Sequence, residues 1–265
     1  MMPPTTPLAV PDTTASKTLH RVPWPIALGL FFVIAIFFMS QLVGGLVASI
    51  YPLLKHWTKL QTTNWLTNSV LAQFIFVLVA ELTVIAAVYW FLKLYKRGWS
   101  AIGLHKPQWR DLAIGLAAVI PYYLFFVITV SIASKLAPSL NVTQQQQIGF
   151  TNVHGVLPLI VTFISLAILP PLTEEILVRG FLYTTFRKGL PVLWAAIITS
   201  LVFASAHLPE GGAAGPLYIA AIDTFVLSMV LVYLREKTSN LWAGITLHAV
   251  KNGVAFCALF IFHMS

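Results

Sequence analysis

The sequence predicts an all-α fold, a polytopic transmembrane helix bundle with seven crossings and up to eight helical segments. Three observations carry this. First, of 265 residues 58% are apolar and only 9% charged, where an ordinary soluble domain has about 25% charged. Second, the apolar residues form runs long enough, at ~20 residues, to cross a bilayer. Third, the basic residues sit in short connections between those runs, unevenly divided between the two sides. A net charge of +8 can signal nucleic acid, but charge spread in this way orients a membrane protein, so no nucleic-acid partner is expected. Cys257 is the only cysteine, which excludes an internal disulfide and a thiolate metal cluster.

Residues 1–22, rich in Pro and Thr, read as a disordered cytoplasmic tail. The apolar stretch Pro25–Tyr51 is too long for the core of a signal peptide and lacks a clear cleavage site, so it reads as a retained first span. Runs near 69–94 and 111–137 complete an N-terminal set of helices, 23–150. A run at 157–188 and shorter ones at about 191–207, 214–234 and 240–263 make up the remainder, 151–265. No internal repeat is evident. Pro121, Pro170 and Pro171 lie inside apolar runs, where they kink helices and free backbone groups. Trp24, Trp90 and Trp242, near run ends, are expected to be interfacial anchors.

The run 157–188 is either one bent helix or two helices broken at Pro170-Pro171, giving seven or eight crossings. Loop charge discriminates. Seven crossings with the N-terminus inside put Lys17, Arg21, Lys93, Lys96, Arg97, Lys106, Arg110, Arg179, Arg187, Lys188, Arg235 and Lys237 inside, twelve residues, against Lys55, Lys59 and Lys135 outside. Eight crossings nearly erase the bias. The sequence therefore predicts seven crossings and a cytoplasmic N-terminus, in the plasma or inner membrane if the source is bacterial.

Three runs place ionisable groups inside otherwise apolar helices: Glu174-Glu175 with Arg179, Phe203 with His207, and His248 with Asn252. Burying such a group in a bilayer costs roughly 2.5–3.5 kcal/mol on insertion scales, so it marks a functional site by default. Glu175 and Arg179 are four apart and can pair on one face, which leaves Glu174, rotated about 100°, free. Phe203 and His207 share a face, as do His248 and Asn252. Gly189-Leu190-Pro191 is a turn signal. Glu174 lies fifteen residues before it and His207 sixteen after it, so both rise to about the same height above the turn. Bland readings stand beside these. A lone intramembrane histidine often only packs, and Glu175–Arg179 reads as a structural ion pair. Asp223 and Glu81 are isolated acids with no partner evident in sequence, and Lys251 faces water or an anion.

In order, the three runs resemble the Glu-Glu-x-x-x-Arg, Phe-x-x-x-His and His-x-x-x-Asn motifs of the CAAX prenyl endopeptidase and bacteriocin-processing family of intramembrane proteases. Pro171 before the glutamates and Gly180-Phe181 after Arg179 match as well. The resemblance covers about residues 155–260, while 1–150 match only as generic spans. It implies an endopeptidase acting near the cytoplasmic side on prenylated CAAX-type chains or small bacteriocin or signalling peptides, with 151–265 as the catalytic core. By the same resemblance Glu174 would be the general base that activates water and His207 would hold that water or a metal. His248 and Asn252 would stabilise the oxyanion, and Glu175, Arg179 and Phe203 would support them. A further C-terminal helix found in some relatives is not expected, because the chain ends at Ser265.

Glu174, His207 and His248 could ligate a catalytic zinc with an open fourth position, or run a metal-free Glu/His mechanism. The metal-free case is favoured, because no carboxylate or carbonyl partner that would orient the two histidines is apparent in sequence. Two other classes compete. One is a non-catalytic peptide-binding immunity or scaffold protein. The other is a transporter, which should show internal repeats with paired broken helices.

Overall fold

The computed structural model describes residues 22–263. The tail read at 1–22, with Lys17 and Arg21, lies outside the described residues except for Val22. Among the described residues seven helices are long and apolar enough to cross a membrane. In chain order these are α1, Ile26–Leu54; then, after the short α2, Lys59–Asn68, α3, Val70–Leu94; α4, Trp109–Leu136; α5, Val156–Arg187; α6, Val192–Ala214; α7, Tyr218–Thr238; and α8, Trp242–Ile261. No strand occurs among the described residues. The ambiguous run is thus one helix, and the chain is an integral multi-pass membrane protein with seven spans.

Each irregularity has a local cause. Residues 117–119 of α4 break just before Pro121, which cannot donate to the carbonyl four residues back. Gly189-Leu190-Pro191 forms the expected turn: the amides of Gly189 and Leu190 both reach the Phe186 carbonyl, at 3.1 and 2.9 Å. In α5 two wide π-type stretches, Ile164–Ile168 and Glu175–Leu182, flank the Pro170-Pro171 turn. Such bulges commonly sit at functional sites. Sequence inspection overlooked α2, although Thr58 and Gln61 form a reciprocal capping box at its start.

Trp24 corrects another expectation. It is fully buried rather than interfacial, stacks on Phe181 with ring centroids 5.1 Å apart, and donates from Nε1 to Thr185 Oγ1 at 2.8 Å. Gly29 allows α1 to approach so closely, since a Cβ there would stand 2.5 Å from Thr185 Cγ2. Trp24, Phe91, Phe181, Leu182, Tyr183 and Phe186 belong to one apolar core, which fills the half of the bundle toward the 188–191 turn.

Because successive spans alternate in direction, the bundle has two distinct ends. One carries the connections 95–108, 188–191 and 239–241. There, or in the adjoining helix turns, lie Lys93, Lys96, Arg97, Lys106, Arg110, Arg187, Lys188, Arg235 and Lys237. The other end carries α2, the connection 137–155, the segment Leu208–Leu217 and the C-terminal end of α8, with only Lys55, Lys59 and Lys135. Arg179 and Lys251 belong to neither end. They lie inside the bundle, so Arg179 drops out of the loop count.

Candidate active site

The proline fault in α5 supplies the first fixed point. Pro170 has no N–H for the Leu166 carbonyl one turn earlier, and that carbonyl instead accepts from Asn252 Nδ2 at 3.0 Å. The bond ties α8 to α5. It also occupies one of the two amide hydrogens of Asn252 and leaves the other available.

His248 is buried next to the same helix. Its Nδ1 lies 3.1 Å from Glu175 Oε1, and that oxygen is also 3.0 Å from Arg179 Nη1. A carboxylate paired with a guanidinium can only accept, so the hydrogen sits on His248 Nδ1. In the neutral ring Nε2 therefore carries the lone pair, and it faces Glu174 Oε2 at 3.7 Å. The Arg179 guanidinium lies over the Phe203 ring, 4.2 Å from its centroid, an attraction worth about 2 kcal/mol when desolvated. Gly244 makes room for this group: a Cβ there would stand 2.9 Å from Glu175 Oε2. Glu175 is therefore more than a brace for Arg179. It joins Arg179 to His248, a link that the sequence reading missed because Glu175 and His248 are 73 residues apart.

His207 is oriented by a different device. The end of α6 tightens, so that the His207 amide bonds the Ala204 carbonyl at 3.1 Å. This frees the Phe203 carbonyl, which takes His207 Nδ1 at 2.9 Å. A carbonyl only accepts, so here too Nδ1 carries the hydrogen and Nε2 is left as the free atom.

Glu174, Phe203, His207, His248 and Asn252 line a single cavity of about 290 Å³, as the matched heights of Glu174 and His207 predicted. Glu175 and Arg179 lie behind its wall, fully buried. The cavity is closed over by residues no motif signalled. Glu210 stands with Oε1 4.0 Å from His207 Nε2. Gln146 donates from Nε2 to Glu210 Oε2, and the Gln147 amide donates to the Glu210 carbonyl, both at 2.8 Å. Farther along the same loop, the Phe150 amide donates to Gln73 Oε1 of α3 at 2.7 Å.

An isolated acid also finds partners. Asp223 on α7 pairs with Lys251 Nζ at 2.9 Å and accepts from the Tyr122 hydroxyl of α4. Glu81 on α3 lies close to Glu174, a like charge rather than a partner. Asp223–Lys251 is a part of the cavity wall, and removing one charge strands the other. Asp223→Asn is expected to lower the thermal midpoint in detergent, at a cost of up to about 3–5 kcal/mol. Replacing both charges, as Asp223→Leu with Lys251→Met, should restore much of it. Equal midpoints for the single variant and wild type would show that the pair contributes nothing to docking α7 on α8.

Among the described residues no three His, Cys, Asp or Glu side chains are gathered to hold a metal ion, so the set Glu174, His207 and His248 is not preformed as a ligand triad. The absence of orienting partners, taken from the sequence as a mark of metal-free chemistry, does not hold: Glu175 orients His248 and the Phe203 carbonyl orients His207.

No curated protein and no solved structure matches the chain. Residues 156–254 match the family described as type II CAAX prenyl endopeptidase Rce1-like. That segment runs from the start of α5 through most of α8 and contains all three polar runs, so this part of the chain is similar to the Rce1-like CAAX prenyl endopeptidases, the family that the motifs resemble.

Proposed function

We propose that the protein is an intramembrane endopeptidase in which Glu174 activates water for attack on a peptide carbonyl, within a catalytic core formed by 151–265. The observation that carries this reading is the convergence of an unpaired glutamate, two histidines with free Nε2 atoms and an amide donor on one cavity. Glu174 takes a proton as the water oxygen forms its bond to the carbonyl carbon. His207 Nε2 accepts the other water hydrogen and orients the nucleophile. The carbonyl π electrons move onto oxygen, where the second N–H of Asn252 donates. Neutral His248 cannot donate at Nε2 while its hydrogen is on Nδ1. Once substrate binding tightens the 3.7 Å separation from His248 Nε2 to hydrogen-bonding distance, the proton taken by Glu174 passes to that nitrogen, which makes His248 a donor as the oxyanion develops. When the C–N bond breaks, the departing amine takes that proton and both groups return to their starting forms.

The test is release of product from peptide substrates by purified wild-type protein and by Glu174→Gln. Turnover by wild type alone supports the reading. Absence of turnover by wild type on prenylated CAAX-type and unlipidated peptides alike, with binding retained, would favour the peptide-binding immunity or scaffold role.

Metal dependence is tested separately. Since no three donors are gathered, chelation is expected to leave turnover unchanged, and elemental analysis should find zinc well below one per chain. About one Zn per active chain, lost in His207→Ala and in His248→Ala, would reverse this assignment.

A further inference from the structure

The end of the bundle at which the cavity lies is not the end that carries the charge. The cavity runs from the middle of the bundle, where Glu174, Phe203 and His248 lie, toward one end, which it reaches through Leu166 and Pro170 from the first half of α5, Glu210 from the end of α6, Asp223 from the start of α7, and Phe260 from the end of α8. The glutamine loop closes over it at that end. Toward the opposite end the way is blocked. Arg179, Phe181, Leu182, Tyr183 and Phe186, which follow Glu174 along α5, are all buried, and Trp24 stacks on Phe181. Yet the blocked end carries nine of the basic residues in or beside the connections, and the cavity end three. Basic residues in short connections are retained on the cytoplasmic side.

We infer that the site is entered from the non-cytoplasmic face of the membrane, and that its substrate is an exported or membrane-anchored polypeptide presenting its scissile bond there. The inference rests on the peptidase reading for what happens at the site, but not for which face the site opens to. It disagrees with the expectation of hydrolysis near the cytoplasmic side. That expectation and the cytoplasmic N-terminus cannot both hold, because α5 to α8 put the cavity at the end opposite the basic connections. A prenylated chain held in the cytoplasmic leaflet would meet the plugged end.

The two parts can be tested apart. With Cys257→Ser as background, single cysteines are placed in the full chain at Gln145, an exposed position in the glutamine loop, and at Arg97, exposed in the basic connection. Each is probed with a membrane-impermeant sulfonated maleimide on intact and on permeabilised cells. Q145C should be labelled equally in both, and R97C only after permeabilisation. The reverse pattern, or labelling of both in intact cells, overturns the assigned face. In the second arm, quenched fluorescent peptides are supplied outside intact cells that express wild type or Glu174→Gln. Cleavage dependent on Glu174 is expected there. Cleavage only after permeabilisation overturns the substrate class, whatever the labelling. No cleavage in either preparation, with labelling as expected, sinks the peptidase reading and with it the substrate class, while leaving the assigned face standing.

Discussion

Glu174→Gln is expected to lower kcat by roughly 10²–10⁴-fold, with expression and thermal midpoint at wild-type values. The amide has the size of the carboxyl but cannot take a proton from water. It also breaks no structural pair. The Glu174 side chain is 29% exposed toward the cavity, and it stands 3.7 Å from His248, beyond hydrogen-bonding distance. KM should change little, because the group acts on water rather than holding the peptide. The comparison is single-turnover product release with thermal unfolding on the same preparations. A variant that keeps more than about a tenth of wild-type kcat, against the ~10²-fold minimum expected of a lost base, would remove Glu174 from the role of base.

The spans and the polar runs were legible because their physics is local. A bilayer demands long apolar helices, and an ionisable group inside one stands out against its neighbours. The i,i+4 spacing of Glu175 and Arg179 was enough to forecast their 3.0 Å contact, and counting rise from the Gly189 turn brought Glu174 and His207 to one cavity. What stayed hidden depends on contacts between distant segments. Asn252 is 86 residues from the Leu166 carbonyl that it satisfies, and Asp223 meets partners on two other helices. The proline pair foretold that a carbonyl would be freed, but not which side chain would take it. Trp24 looked interfacial from its place at the end of an apolar run. It is core because Thr185, one helical turn beyond Gly-Phe in α5, offers its indole an acceptor inside the bundle. The glutamine loop has no periodicity to read, and its place over the cavity follows only from where α4 and α5 leave it.

Glu175→Ala should separate support from chemistry. The substitution leaves Arg179 fully buried without its ion-pair partner and deprives His248 Nδ1 of its acceptor. Loss of one partner of a buried pair typically costs about 3–5 kcal/mol, so yield and thermal midpoint should fall sharply, unlike those of Glu174→Gln. Combining Glu175→Ala with Arg179→Met removes both charges and fills part of the space, and replacing a buried pair by apolar groups is often close to neutral. The double variant should therefore recover most of the midpoint. It should not recover turnover, because nothing then fixes the hydrogen on His248 Nδ1 or aims Nε2 at Glu174. Glu175→Gln is the conservative control: its amide oxygen can still accept from His248, so it should keep more turnover than the double variant even if its midpoint is lower. That ordering distinguishes a positioning role from a merely structural one, since a brace alone would let activity follow stability across the three variants. A double variant that regains both midpoint and kcat would show that Glu175 serves only Arg179, and that His248 finds its orientation without it.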